Sequence, residues 1–228
     1  MKTTRIIKNA VLGFAIIVAV CSLSSCEKND VDDFGSFNLK VVNASPGAPA
    51  QGFYLAGSSL VNGGLEFTDA SPYISTPSGT RLVGEYKSDG TGNVYASGEL
   101  YSANGVSFTV YLAGEGSSAR VRSFQDDLSA PNNGKVKIKF IHLSDAAPSD
   151  INIRDASGDD LVTNLSRNLA SGYKVVDPGM LSVQIFGTAL RKNIGNFTVS
   201  DLQAGKIYTL YLTGQTDGSL SLNKIIHN

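Results

Sequence analysis

The sequence GVSFTVYLAG, at residues 105–114, alternates between apolar and polar side chains. A period of two places successive side chains on opposite faces of a β-strand, so this stretch predicts a strand with one buried face. The buried face would carry Val106, Phe108, Val110 and Leu112, and the other face Ser107, Thr109 and Tyr111. The pattern returns as GKIYTLYLTG at residues 205–214. The strand therefore occurs once in each half of the chain.

A second stretch repeats at almost the same offset. LKVVNASPGAP at residues 39–49 returns as IKFIHLSDAAP at residues 138–148, which is 99 positions later. Between these stretches, Tyr73 matches Tyr173 at a shift of 100. A repeat with the period of a domain predicts two copies of one module.

Each copy is rich in short strand patterns. VKIKFIH at residues 136–142 alternates like the opening stretch, and further candidates lie at 52–55, 81–86, 120–124, 150–154, 180–186 and 219–225. Clusters of Gly, Pro, Asn, Asp and Ser separate them, as turns require. Roughly seven strands in a copy are expected for an immunoglobulin-like sandwich. We therefore predict an all-β protein with two tandem immunoglobulin-like β-sandwich domains.

The repeats set the predicted domain boundaries. We assign residues 37–126 to the first sandwich and residues 136–228 to the second. The linker, residues 127–135, is polar and has almost nothing to bury. Because it is short, we expect the two modules to sit close together, for example end to end.

The N-terminus resembles an export signal. Lys2, Arg5 and Lys8 precede the apolar run VLGFAIIVAV, which is half the length of the about 20 residues that cross a bilayer as a helix. Residues 1–25 therefore predict a signal peptide. Leu-Ser-Ser-Cys, ending at Cys26, resembles the bacterial lipobox, which implies acylation of Cys26 and cleavage before it. Cys21 is a poorer candidate because Val20 precedes it, and secretion with an unmodified Cys26 is the alternative.

Charge and cysteine content narrow the function classes. The chain has 19 basic and 20 acidic residues, and the basic ones are scattered, so no nucleic-acid footprint is visible. Once Cys26 carries lipid, no disulfide is possible in the mature chain. The acidic run at residues 27–33 predicts a solvated tether over residues 26–36. It also resembles export signals of surface lipoproteins in some Gram-negative bacteria, with a plain spacer as the equal alternative. We expect an outer-membrane lipoprotein, with exposure at the cell surface as one option.

The repeated stretches VVNASPGAPA and FIHLSDAAPS resemble the V-H-A-S-P-D-A-P-x-V-D-V-Y motif of domain-of-unknown-function family 4397. The first copy has Asn43 where His is usual, and the second keeps His142 but has Asp145 in place of Pro. The resemblance covers most of the mature chain. It implies tandem β-sandwich modules on exported bacterial proteins and carries no catalytic residues.

The motif itself suits a structural corner. Asn43 and His142 share the parity of the apolar residues before them, so each closes a buried strand face and can bond the following turn. A Ser hydroxyl can satisfy backbone N–H groups there, and Pro stops strand pairing. A ligand loop is the alternative. The candidate residues are Asn43, Ser45, Pro46, Pro49, His142, Ser144, Asp145 and Pro148.

Few residues of the sequence suggest a catalytic site or a metal site. A hydrolytic triad needs a base, and Asn43 replaces His142 in the first copy, so catalysis is not a property of the module. Calcium favours oxygen clusters, but the spacing departs from an EF-hand and reads equally as a hairpin turn. The acidic residues concerned are Asp145, Asp150, Asp155, Asp159 and Asp160. We predict no catalytic residue, metal or cofactor.

Glycan binding is the leading functional hypothesis, together with protein binding. Sugars stack on exposed aromatic rings, but the chain has no Trp, and its tyrosines can equally pack half-buried on strands. The first copy is the better candidate because it holds Tyr54, Tyr73, Tyr86, Tyr95 and Tyr101. We therefore expect a non-catalytic, lipid-anchored binding or adhesion module. A structural spacer or assembly component is the alternative, and a hydrolase ranks last.

Overall fold

The computed structural model describes residues 30–132, 134–215 and 217–228. Within this part the chain forms strands and one short 3-10 turn, and no helix there is long and apolar enough to cross a membrane. The strands of the first half are β1 (Asp30–Asn43), β2 (Gln51–Leu55), β3 (Ser58–Leu65), β4 (Ile74–Thr80), β5 (Leu82–Ser88), β6 (Val94–Leu100), β7 (Ser107–Ala113) and β8 (Arg120–Asp126). Those of the second half are β9 (Val136–His142), β10 (Asp150–Asp155), β11 (Asp160–Ser166), β12 (Lys174–Val176), β13 (Gly179–Gly187), β14 (Lys192–Leu202), β15 (Ile207–Gly214) and β16 (Leu220–Ile226).

The two halves repeat one strand arrangement. The first module pairs a sheet of order β4-β1-β7-β8 with a sheet of order β3-β2-β5-β6, and the second module repeats this with β12-β9-β15-β16 and β11-β10-β13-β14. The prediction of an all-β chain with two tandem sandwiches is confirmed. Each module has eight strands rather than about seven, and its first strand runs parallel to its seventh. The architecture is immunoglobulin-like, while this connectivity is the module's own.

Each sandwich encloses its own apolar core. In the first module, Leu39, Val41 and Val110 pack against residues such as Phe53 and Leu82 of the opposite sheet. The second core repeats this arrangement between β9, β15 and the sheet that contains β10. In both strand patterns, the side chains predicted to form the apolar face are therefore the ones that face the core.

The two modules pack face to face through the sheets that contain β1 and β9. The alternation places Lys137 and Lys139 opposite the apolar face of a half-buried strand, but all seven residues of β9 are buried. The side chains on the polar face of these strands contact the other module instead of water. The contact is apolar at its centre and is formed by Val42, Ala44, Tyr111, Ala113, Ile141, Leu143, Tyr211 and Ile225. The end-to-end arrangement is therefore wrong, because these strands have two buried faces.

Contacts across this interface fix the relative direction of the modules. The rings of Tyr111 and Tyr211, which occupy equivalent positions, lie 5.6 Å apart between centroids. Lys139 contacts Asp126 beside the start of β7, while Arg120, opposite the end of β7, contacts the loop that follows β9. The start of β7 therefore lies near the start of β9, and the two ends also lie close together. Because β1 is parallel to β7, β1 and β9 run in the same direction.

This direction gives the molecule two distinct ends. We call the tip the end formed by residues 43–49 and 142–148 with the turns after β7 and β15. We call the base the end formed by the start of β1, the segment between β8 and β9, and the C-terminus. The 14 residues of β1 connect the two ends. A bulge between Val31 and Ser36 leaves about ten extended steps along β1, so at roughly 3.3 Å per step the distance from base to tip is about 33 Å.

The acidic segment differs from the expected tether. Asp30 and Val31 already pair with Thr80 and Gly79 of β4, and the hydroxyl of Ser78 donates to Asp32 at 2.9 Å. The backbone joins the sheet because the carboxylates find hydroxyl partners at its edge. The predicted signal peptide, residues 1–25, and the predicted lipidation site Cys26 lie outside the described residues.

Candidate functional site

A cluster of buried charged and polar side chains lies at the interface between the modules. The buried carboxylate of Asp126 accepts hydrogen bonds from Lys139 Nζ at 2.7 Å, Thr109 Oγ1 at 2.6 Å and Tyr73 OH at 2.9 Å. Lys139 also donates to the carbonyl oxygen of Gln125 at 2.9 Å. Both charged side chains are at most 2% exposed. The pair is therefore desolvated, and its charges are compensated by each other and by these hydrogen bonds.

His227 extends this network. Its Nδ1 lies 2.7 Å from Tyr73 OH and its Nε2 lies 2.8 Å from Thr209 Oγ1. Burial lowers the pKa of His227 to about 4, so the imidazole is neutral at pH 7. Because Tyr73 donates to Asp126, we assign the proton to Nδ1, which donates to Tyr73, and let Nε2 accept from Thr209.

The network is built from equivalent positions of the two modules. Thr109 matches Thr209, and Asp126 of the first copy stands where the second copy has His227. Two carboxylates at these places would repel each other in a buried site, whereas an acid and a neutral imidazole share hydrogen bonds through Tyr73. The two copies have therefore diverged into complementary partners, and the network holds the modules together.

The first corner motif ties three strands to one another. Asn43 Nδ2 donates to the carbonyl oxygen of Leu65 at 3.0 Å, and its Oδ1 accepts from the backbone N–H of Ser45 at 3.1 Å. The hydroxyl of Ser45 donates to the carbonyl oxygen of Gly114. Pro46 occupies the turn that follows, and the carbonyl oxygen of Pro49 accepts from Gln51 at the start of β2. These hydrogen bonds support the structural interpretation of the motif.

The second corner motif makes related contacts. His142 Nε2 donates to the carbonyl oxygen of Pro148 at 2.8 Å, and Ser144 Oγ accepts from the N–H of Ala147 at 3.1 Å. Burial lowers the pKa of His142, so the ring is neutral at pH 7. Because Nε2 carries the proton and faces Pro148, His142 is not placed to activate Ser144. Its Nδ1 is buried without a hydrogen-bond partner among the described residues.

Arg120 joins the second corner to the first module. Its guanidinium contacts Asp145 at 2.7 Å and donates to the carbonyl oxygen of Leu143 at 3.1 Å. Its Nε donates to the side chain of Asn168 at 2.6 Å. Asp145, predicted as a motif residue, is therefore a partner of the other module.

A cleft of about 230 Å³ opens beside this contact at the tip. It lies between the turn after β7 and the second corner, so both modules line it. Its walls offer carboxylates, an amide and backbone groups rather than aromatic rings. The lining residues are Gly114, Glu115, Ser118, Asp145, Ala146, Gly214, Gln215 and Gly218.

The acidic residues considered for calcium are spread over the second module. Asp145 lies at the tip, whereas Asp155 accepts from the N–H groups of Ser157 and Asp159 in a turn at the base. Asp160 pairs with Arg154 at 2.8 Å. Among the described residues, no group of three or more His, Cys, Asp or Glu side chains could hold a metal ion.

The tyrosines of the first copy do not form one exposed platform. Tyr86 is fully buried, and its hydroxyl donates towards the carbonyl oxygens of Val42 and Val110 at 2.9 and 3.0 Å. Tyr73 belongs to the interface network, while Tyr101 is exposed at the base.

Sequence reasoning missed Lys139, Asp126 and Arg120. A usable signal was present, since Lys40 and Thr109 recur as Lys139 and Thr209 on the polar parity of paired strands. Polar residues repeated at equivalent strand positions in two adjacent modules are candidates for a contact between those modules.

Comparison with known proteins adds one firm assignment. The family model "Domain of unknown function (DUF4397)" matches residues 37–153, which is half of the chain. The chain belongs to the DUF4397 family. The DUF4397 match begins within β1 of the first module and ends within β10 of the second.

Two other comparisons contribute less. No curated protein matches the chain. Among solved structures, the C-terminal domain of AlgF from P. aeruginosa is similar at 17% sequence identity, over 42% of this chain and 99% of that one, with a TM-score of 0.28. A likeness at this score is too distant to bear on function.

Proposed function

We propose that this DUF4397 protein is a lipoprotein of the bacterial cell envelope, anchored in the outer membrane through Cys26, and that its tip is a non-catalytic binding surface for a glycan or a protein. The observation that carries this proposal is the opposite placement of the two ends. The chain enters at the base, close in sequence to Cys26, while both corner motifs meet at the tip about 33 Å away. An anchored molecule of this shape presents its tip to the surroundings.

The arrangement of the polar groups favours binding over catalysis. His142 and His227 are buried, neutral and already hydrogen-bonded to other groups of the fold. A general base must reach the proton that it removes, and neither imidazole is open to a substrate. A hydrolase is therefore the least supported function.

The tip also has the surface features of an interaction site. It holds the cleft between the modules, and three exposed apolar side chains lie in its turns or beside them: Val94, Leu169 and Leu190. Exposed apolar groups rimmed by polar ones are typical of binding surfaces.

A structural spacer is the second candidate. The face-to-face interface with its buried ion pair fixes the modules relative to each other, which suits a brace that holds partners at a set distance. In that case the tip would be an attachment point within an envelope complex rather than a receptor site for a free glycan.

Labelled palmitate tests the anchor. We expect the wild-type protein to incorporate the label and a Cys26→Ala variant to lose it. Equal incorporation in both would contradict lipidation at Cys26.

A pair of matched variants tests the tip. Ala146→Arg would fill the cleft, and Asn196→Arg adds the same charge to an exposed site on β14, outside the cleft. We expect binding to a glycan array or to purified envelope fractions to fall with Ala146→Arg and to persist with Asn196→Arg. Equal effects would contradict a binding site in the cleft, and a wild-type protein that binds no glycan but copurifies with an envelope complex would favour the spacer.

A further inference from the structure

The distance between the proposed anchor and the folded body is very short. Asp30 is already paired with Thr80 in the sheet, and only three residues separate it from Cys26. A fully extended chain spans at most about 3.6 Å per residue, so the Cα atoms of Cys26 and Asp30 lie within about 14 Å. If Cys26 is lipidated, as proposed above, the base cannot leave the neighbourhood of the bilayer surface.

The base presents apolar side chains towards that surface. Val31, Tyr101, Leu128 and Met180 are between 37% and 72% exposed. They come from the start of β1, the loop after β6, the segment after β8 and the start of β13.

Contacts of neighbouring residues place each of these segments at the base. Ser102, next to Tyr101, donates its N–H to the carbonyl oxygen of Gly79, the strand partner of Val31. In the second module, Lys135 pairs with Asp177 in the turn that leads to Met180. Leu128 borders an open cleft with Gly105, at the start of β7.

An apolar groove adds to this surface. It has a volume of about 240 Å³ and lies beside Val31, between the β2–β3 turn and β4. Its walls include Leu55, Leu60 and Pro77. The groove therefore continues the apolar surface of Val31 into the first module.

We propose that the base docks on the bilayer that holds the anchor, with Val31, Tyr101, Leu128 and Met180 seated at the boundary between headgroups and acyl chains. Aromatic rings with a polar edge favour this boundary, and apolar side chains gain by burial there. Asp127 and Asp177 at the same end are already paired with Lys137 and Lys135, so the proposed contact is apolar rather than electrostatic. The docked molecule stands upright, with its tip about 33 Å above the surface.

The absence of tryptophan makes a direct test possible, because one introduced Trp is a unique fluorescent probe. The full chain, processed in cells and purified with its lipid, is placed on phosphatidylcholine vesicles that contain doxyl-labelled lipid. Base probes are Tyr101→Trp and Met180→Trp. The matched controls at the tip are Val94→Trp and Leu190→Trp. Their native side chains are 49% and 53% exposed, compared with 60% for Tyr101 and 72% for Met180. Thermal melting of each variant verifies the fold.

We expect the base probes to lose most of their emission to the doxyl quencher and the tip probes to keep theirs. Flotation of the vesicles tests the lipid anchor separately from the docking surface. A protein that floats with unquenched base probes, or with tip probes quenched equally, overturns the docking surface while the anchor stands. A wild-type protein that does not float overturns the anchor, and the docked orientation falls with it.

Discussion

The carboxylate of Asp126 shows how a single residue can hold two modules together. It lies in the last strand of the first module, yet its charge is compensated by Lys139 of the second. Such a pair is costly to desolvate, but removing one partner is costlier because the other charge stays buried alone. The interface therefore tolerates neither residue without the other.

Replacing Lys139 by Met tests this dependence. Breaking a buried ion pair typically costs about 3 kcal/mol or more, so the free energy of unfolding should fall by at least that amount in urea titrations. The control is Lys135→Met, because the Lys135–Asp177 pair is largely exposed and should contribute under about 1 kcal/mol. Adding Asp126→Asn to Lys139→Met should restore part of the loss. Equal losses for the two single lysine variants would contradict a buried pair.

His227 predicts a pH dependence of stability. Its folded pKa of about 4 lies below the ordinary value of 6.5, so the unfolded chain binds the proton more readily. The stabilisation is complete above about pH 6.5 and is lost as the pH falls towards 4, by up to about 3 kcal/mol. His142 acts in the same direction because burial also lowers its pKa.

The contribution of His227 is isolated by comparing unfolding free energies of the wild type and His227→Gln between pH 4 and 7. We expect the variant to lose part of the pH dependence. Parallel curves would show that the imidazole is not buried in the neutral form.

The corner motif is tested at Ser144. Because its hydroxyl satisfies the N–H of Ala147 in a buried turn, Ser144→Ala should destabilise the fold by about 1 kcal/mol and lower the melting temperature. Ser149→Ala, an exposed neighbour, is the control and should leave the melting temperature nearly unchanged. A Ser144→Ala protein that melts normally but loses a binding activity would favour the ligand-loop interpretation.

At the scale of the strands, alternation predicted β7, β9 and β15 well, because their core-facing parity is apolar except for His142 at the end of β9. The candidate strands missed β3, β4, β6, β11, β12 and β14. All six lie at sheet edges, and bulges interrupt the period of several of them. Asn164 and Asp201 adopt positive φ at such irregularities, which shifts later side chains to the other face.

The entry of β1 into the sheet depends on Gly79. A Cβ atom at this position would lie 2.1 Å from the carbonyl oxygen of Asp30, so only glycine allows the close approach. Gly79→Ala should release the start of β1, and amide hydrogen exchange around residues 30–32 should become faster. Gly172→Ala is the control, because nothing lies within 4 Å of a Cβ there. Unchanged exchange in Gly79→Ala would contradict the pairing at the base.

At the scale of the whole molecule, the repeat in the sequence predicted two modules but could not predict how they meet. Lys139 and Thr109 alternate with apolar residues and therefore suggest solvent exposure, since periodicity reports only the faces of a strand and not what covers them. The parity of Asn43 and His142 did predict their inward orientation. That both corner motifs lie at one end follows only from the contacts between the modules.

Small-angle X-ray scattering of residues 30–228 tests the face-to-face packing of the two modules most directly. All statements about the base and the tip depend on this packing. A compact body of this length has a radius of gyration of about 16 Å, and we expect a value close to this. Two sandwiches of about 33 Å in line would have a radius of gyration above roughly 20 Å and an elongated distance distribution. Such a profile would contradict the face-to-face interface and the separation of anchor and tip that it creates.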